Sequence, residues 1–212
     1  MKKAASIEKY IEKIKPIIRK TKFSQLKIDD IARYMDISKA TLYKNFSTKD
    51  EIIQVVVAHY IDYLSEADTI VQDENISFIE RFQKTFEQSL KCVIYVSDLF
   101  LNDLKESYPY LFENLELAQQ NRNKNLEAFF KAGMDQEIFN QINAVLFMVQ
   151  DDAVLRRIMV PSFSIKYDLT LKQALMDFYQ LKKYQLFKSE YLDTVDDSVI
   201  EKEIVQTLST IT

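Results

Sequence analysis

Glycine occurs once in 212 residues, at Gly133, and proline three times, at Pro16, Pro109 and Pro161. Tight β-turns and hairpins rely on residues that accept positive φ or arrive with φ already fixed. A chain with so few of them is read as all-helical. The same scarcity excludes whole enzyme classes, because a phosphate-cradling loop or a dinucleotide fingerprint needs two or three glycines within about six residues. One cysteine, Cys92, cannot close an intramolecular disulfide, and beside a single histidine, His59, it leaves no Cys/His metal cluster or catalytic pair. Cys92 is read as core and His59 as surface. Paired acids such as Asp151 and Asp152 are adjacent on a helix and do not face each other. No enzyme, cofactor or metal is expected.

Hydrophobic residues at 47% and charged residues at 28% give a chain that folds into a globular core. No apolar run approaches the roughly 18 residues of a membrane span, and the opening MKKAASIEKYIEKIKP carries charges throughout its apolar stretch. The expectation is a cytoplasmic protein with no membrane contact.

The net charge of −4 conceals an asymmetry. Residues 1–50 hold 13 Lys and Arg against 6 Asp and Glu, a net of +7, whereas residues 51–212 carry a net of −11. A basic head on an acidic body confines the electrostatic footprint for a polyanion to one end. No repeat or Gly/Ser-rich linker separates the two parts, so any boundary runs through continuous helix.

Apolar spacings of three and four predict a helix over 6–20 with Ser6 as its N-cap, and a short one over 28–35. Asp36 and Ile37 break the pattern, and Ser38 caps a third helix running to about Phe46 with Leu42 and Phe46 facing inward. Ser47 and Asp50 offer a capping arrangement for a long fourth helix bearing Ile52, Ile53, Val56, Val57, Tyr60, Ile61 and Leu64. A fifth helix carries Ile79, Phe82, Phe86, Leu90 and Val93, and a short sixth Leu99, Phe100 and Leu104. The seventh opens at Pro109 and is expected to terminate at Gly133. Residues 140–159 are apolar on more than one side, which implies burial on two faces. Thr170 and Gln173 read as a capping box for a helix with Leu171, Ala174, Leu175, Phe178 and Leu181 inside, and a last helix is expected near 197–209.

The segment from Ile28 to Lys49, IDDIARYMDISKATLYKNFSTK, resembles the DNA-binding domain of the TetR family of bacterial transcription regulators. The matching elements are Ile31-Ala32, Ile37-Ser38 at the turn, Thr41-Leu42-Tyr43 on the recognition helix, Phe46 behind it and Lys49 opening the next helix. Two positions depart from the family: Asp36 stands where glycine is usual, and Leu26-Lys27 where Ser or Thr is usual. Asp accepts the left-handed conformation better than most side chains, and Asp29 and Asp30 oppose the helix dipole in place of the missing cap. The resemblance implies an N-terminal helix-turn-helix domain over residues 1–48 and a larger helical effector-binding and dimerisation domain over 49–212. It also implies DNA contacts from Lys27, Lys39, Ala40, Thr41, Tyr43, Lys44, Asn45 and Lys49, with Lys39, Ala40 and Thr41 at base-reading positions and Tyr43, Lys44, Asn45 and Lys49 on phosphates. With Leu42 and Phe46 buried, the outward side chains of this helix are cations, hydroxyls and an amide, the chemistry of a DNA groove.

The body is rich in aromatic residues. The resemblance implies that its middle helices enclose an effector pocket, with Tyr63, Phe82, Phe86, Tyr95, Phe100, Tyr108, Arg122 and Phe129 as candidate contacts and an apolar or aromatic small molecule as the ligand. Arg122 interrupts the apolar stripe between Ala118 and Leu126, where it pairs with a ligand carboxylate, or buries its stem and either snorkels out to solvent or meets an internal acid. The helices near 140–159 and 170–188 are the candidate interface of a homodimer, since one short recognition helix reads too few base pairs for useful specificity. The function expected is that of a repressor that binds palindromic operator DNA as a homodimer and is released by a small effector. The alternative keeps the fold and substitutes a protein partner for the ligand.

Overall fold

The computed structural model describes residues 2–210, with side chains described from residue 7 onward. Among the described residues there is no strand beyond one antiparallel bridge between Phe139 and Phe187. The helices are α1 (Lys2–Ile18), α2 (Ile28–Tyr34), α3 (Lys39–Asn45), α4 (Lys49–Gln72), α5 (Phe78–Tyr95), α6 (Asp98–Ser107), α7 (Pro109–Asp135), α8 (Ala144–Ile158), α9 (Ser162–Tyr167), α10 (Leu171–Leu186), α11 (Ser189–Leu192) and α12 (Asp197–Ser209). A 3-10 turn, Phe23–Gln25, joins α1 to α2. The all-helical class read from the glycine and proline content is the class observed.

By packing, the described chain falls into two compact units. The first takes in the residues up to Leu64 together with Tyr95–Gln119, and the second takes in Ser65–Ile94 together with the residues from Gln120 onward. In the first unit α1 packs on α2 and α2 on α3, around Ile11, Ile14, Ile18, Ile31, Met35, Leu42 and Phe46, all essentially without solvent contact. Helix α6 packs on the 3-10 turn, and Tyr60 meets Phe100 edge to face at 5.4 Å.

The core of the second unit is a cluster of rings. Phe139 sits at its hub, 5.5 Å from Phe78, 5.5 Å from Phe129, 6.3 Å from Phe130 and 5.2 Å from Phe187. Tyr179 of α10 packs against Phe82 and Phe86 of α5. A buried ion pair joins α8 to α10: the Lys182 ammonium lies 3.1 Å from Asp151, donates to the Phe147 carbonyl at 2.6 Å and rests over the Phe147 ring. Burial pushes the Asp151 carboxyl up to about 6 against the opposing pull of Lys182, and it pushes the Lys182 ammonium down.

Several local expectations change. Helix α1 begins at Lys2, so Ser6 lies inside the helix rather than at its cap, and its side chain is outside the described residues. The cap of α4 is shifted by one residue from Ser47 and Asp50: Thr48 accepts from the Glu51 N–H at 3.1 Å, while the Glu51 carboxylate accepts from the Ser47 N–H. Thr170 caps α10 by accepting from the Gln173 N–H at 3.1 Å, but the Gln173 amide turns to Asp177 and leaves half of a capping box. Leu181 lies on the exposed side of α10 rather than inside, because the buried stripe runs through Ala174, Leu175, Phe178, Lys182 and Leu186.

Gly133 does not terminate α7. The helix continues to Asp135, and the left-handed residue beyond it is Glu137, at φ 59°. Gly133 serves close approach instead: a Cβ there would stand 2.1 Å from Cδ2 of Phe139. Its carbonyl accepts from both Ile138 and Phe139 at 3.0 Å, which folds the chain back so that Phe139 fills the space.

Candidate nucleic-acid interface

The turn between α2 and α3 is built as the residue chemistry requires. Asp36 occupies φ 56°, the left-handed region where glycine is usual. Its carboxylate meets the Lys13 ammonium of α1 at 2.9 Å, which holds it below the ordinary carboxylate range. Ser38 then caps α3 by accepting from the Thr41 N–H at 3.0 Å. Leu42 and Phe46 anchor the helix inside, with 0% and 1% of their surface exposed. The α3 surface left outside carries Lys39, Ala40, Tyr43 and Lys44, with Tyr43 exposed over 56% of its surface.

The individual candidates differ in how free they are. Lys39 pairs with Asp29 of α2, so the N-terminal end of α3 carries a carboxylate beside its cation. The Thr41 hydroxyl lies 2.9 Å from that of Ser38, and its carbonyl accepts from the Asn45 amide at 2.8 Å, which leaves both residues half-buried. Lys27 is exposed just before α2, and its N–H donates to Asp30 at 3.3 Å. Lys49 is used partly inside the fold: its ammonium donates to the Ser24 carbonyl at 2.7 Å and sits 5.1 Å from the Phe23 ring, and burial lowers its pKa. An ammonium has three protons, so this contact does not exhaust Lys49 as a donor.

Sequence reasoning missed how the segment before α2 is held. Asp103 of α6 is 1% exposed, and its two oxygens accept from the Ser24 N–H, at 3.0 Å, and from the Ser24 hydroxyl. Ser97, the cap of α6, donates to the Arg19 carbonyl at 3.0 Å. The signal was present: Asp103 falls on the buried face marked by Phe100 and Leu104, where an acid needs a partner.

The eight effector candidates are not brought into one place within a unit. Tyr63, Tyr95, Phe100 and Tyr108 belong to the first, where Tyr63 pairs with Tyr95 at 6.1 Å and Tyr108 with Phe23 at 6.3 Å. Phe82, Phe86, Arg122 and Phe129 belong to the second. Phe82 and Phe86 pack in the ring cluster. Arg122, 6% exposed, donates to the Gln88 side-chain oxygen at 2.9 Å and to the Ser89 hydroxyl at 2.7 Å, so its hydrogen-bond partners on the stripe are an amide and a hydroxyl. Phe129 lines a cleft of about 600 Å³ with Val71, Phe78, Arg81, Asn125 and Ala132. Cys92 is half-buried, and burial raises its thiol to about 11, away from thiolate reactivity.

A capped helix-turn-helix with a polar, cationic outer face, carried by a chain whose other elements among the described residues are helices, is the build of a DNA-binding transcription regulator. Residues 19–56 match the family model of bacterial regulatory proteins of the tetR family. A curated relative, the uncharacterized HTH-type transcriptional regulator YvaF of Bacillus subtilis strain 168, is 21% identical over 149 residues, which are 70% of this chain and 78% of that protein. Among solved structures, a TetR-family transcriptional regulator from Marinobacter aquaeolei VT8 superposes with a TM-score of 0.67 at 18% identity, covering 93% of this chain and 98% of that one. The ketosteroid transcriptional regulator KstR2 of Mycobacterium tuberculosis superposes with a TM-score of 0.62 at 16% identity, over 86% and 95% of the two chains. Residues 19–56 thus carry the DNA-binding domain of the tetR family of bacterial regulatory proteins, and the chain shares the helical fold of solved regulators of that family. No helix of the described residues is long and apolar enough to cross a membrane.

Proposed function

We propose that this regulator is a cytoplasmic repressor that binds a palindromic operator as a homodimer and is released by a small molecule. The observation that carries the reading is the outer face of α3, where Lys39, Ala40, Tyr43 and Lys44 stand out while Leu42 and Phe46 anchor the helix. Lys39, Ala40 and Thr41 read base edges; Tyr43, Lys44, Asn45, Lys49 and Lys27 hold phosphates. Residues 1–48 form the DNA-binding part, and 49–212 form the effector-binding and dimerisation part.

Dimerisation is supported by the apolar surface left on adjacent helices: Val145, Leu146 and Val149 of α8 and Leu181 and Tyr184 of α10 are each at least 50% exposed. Contiguous apolar surface of this kind is covered in a stable assembly. The effector reading is supported by the cleft at Phe129 and by a fold shared with a regulator named for a ketosteroid.

The test uses duplexes that the protein itself selects from a random pool, compared with scrambled duplexes over a range of salt. Lys44→Ala weakens binding to both and lowers the slope of log affinity against log salt by about one unit. Thr41→Val or Lys39→Ala relaxes preference at defined positions, at about 1–3 kcal/mol for a good contact. Equal affinity of wild type for selected and scrambled duplexes contradicts the reading.

A further inference from the structure

We propose that the cleft formed by the end of α4, the start of α5 and one face of α7 is a binding site for monocarboxylates with an apolar body. The inference rests on the ligand-controlled reading above and gives that ligand a place and a chemistry. Asn125, Ala128, Phe129 and Ala132 recur at helical spacing, so they present one face of α7 to the cleft, and Gln136 follows just beyond the end of that helix. Ala128 and Ala132 keep that face low, and Val71 and Phe78 contribute apolar wall. The space, about 600 Å³, is within the range of small-molecule sites.

Arg81 supplies the polar group. Its guanidinium lies 4.2 Å from the centre of the Phe78 ring and 5.6 Å from that of Phe129. One terminal nitrogen donates to the Val71 carbonyl at 3.0 Å. The buried Nε has no hydrogen-bond acceptor. No carboxylate forms an ion pair with Arg81 among the described residues; the Asp73 carboxyl is held low first by the Asn75 N–H and side-chain amide, with smaller pulls from Lys84 and Arg81. A guanidinium that lines the cleft, spends one terminal nitrogen on a carbonyl and has no carboxylate partner of its own is matched by the charge-assisted hydrogen bond of a ligand carboxylate. The body of the ligand then lies along Ala128, Phe129 and Ala132. Glu74 in the cleft lining and Asp73 nearby repel a second negative charge, which favours a monoanion over a phosphate dianion. Asn125 is engaged by Asp68 at 2.6 Å, and the Gln72 and Gln136 amides remain for polar groups on the ligand.

The test is calorimetric titration of the full chain with octanoate, with octanamide as the neutral match and inorganic phosphate as the dianion. Octanoate binds, and octanamide and phosphate bind weaker by roughly tenfold or more, the loss that accompanies a charge-assisted hydrogen-bond pair. Arg81→Gln lowers octanoate affinity by a similar factor. Ala132→Leu, which fills the cleft and leaves Arg81 in place, does the same and guards against Arg81→Gln acting only through the fold. Octanoate binding no tighter than octanamide, unchanged affinity in both variants, or no octanoate binding overturns the proposal. Octanoate that binds as described and leaves affinity for selected duplexes unchanged supports the site and contradicts the ligand-controlled reading, so the two fail separately.

Discussion

The DNA-reading head and the ring-filled second unit are both helical, but they are specified at different ranges along the chain. In the head, a helix end is set by residues a few positions away: Ser38 holds the Thr41 N–H, Thr48 holds that of Glu51, and Asp36 supplies the left-handed turn between α2 and α3. In the second unit the decisive contacts are distant. Phe139 meets Phe78 and Phe187, Gln83 donates to the Tyr179 hydroxyl at 3.0 Å, and Lys182 reaches back to Asp151. Local chemistry therefore determines where the head presents its reading helix, whereas the other unit depends on shape and burial that no short window contains.

Gly133→Ala tests the distant side most severely. The added Cβ would stand 2.1 Å from the Phe139 ring, so the hub must move, and the expected loss is about 3 kcal/mol or more in urea unfolding. A loss under about 1 kcal/mol would show that the hub is loosely packed and would break the contrast with the head.

Lys182→Met comes next. Removing the ammonium leaves the buried Asp151 carboxyl facing Arg122 and Asp152 without its main partner, at an expected cost of about 2–3 kcal/mol at pH 8. Asp151 already titrates near 6, above an ordinary carboxyl, and loss of Lys182 raises it further. The native state then holds a proton that the unfolded chain has released. Its stabilising contribution is complete below the unfolded value and is lost as pH rises through the folded one. The variant should approach wild type at pH 5 and fall furthest behind at pH 8. A deficit independent of pH would assign the effect to packing alone.

The local side is tested by Ser38→Ala, which removes one cap and should cost about 1 kcal/mol, with weaker DNA binding as α3 frays. No change in either would mean that Leu42 and Phe46 fix α3 without help from the turn. The smallest effect is expected from Asp29→Asn. The Lys39–Asp29 pair is exposed at both ends, so stability should change by under about 1 kcal/mol, while freeing Lys39 raises affinity for scrambled duplexes. Unchanged affinity would show that Asp29 does not compete for that lysine.

What the sequence made legible follows the same division. The recognition helix, its cap and its buried pair were readable because each relies on spacing within a turn or two. Helix α9, the 3-10 turn and the one-residue shift from Ser47 to Thr48 were not, since short elements carry too few apolar positions to show a period. A glycine near the end of an apolar stripe commonly terminates a helix, and only the arrival of Phe139 from the next segment reveals the other role of Gly133. An aromatic residue on a helix face reads equally as pocket lining or as core, and Phe82 and Phe86 are core against Tyr179, which is far away along the chain. Arg81 gave no sequence signal, because its significance lies in the acceptor it lacks.

The most direct test of the central claim is selection of duplexes from a random pool by the purified protein, followed by sequencing of the bound fraction. The account predicts a site with two-fold symmetry whose half-site centres lie about 34–36 Å apart or at a multiple of that distance, as two α3 helices of a dimer require. Enrichment of a single half-site without symmetry, or no enrichment over the starting pool, would contradict it.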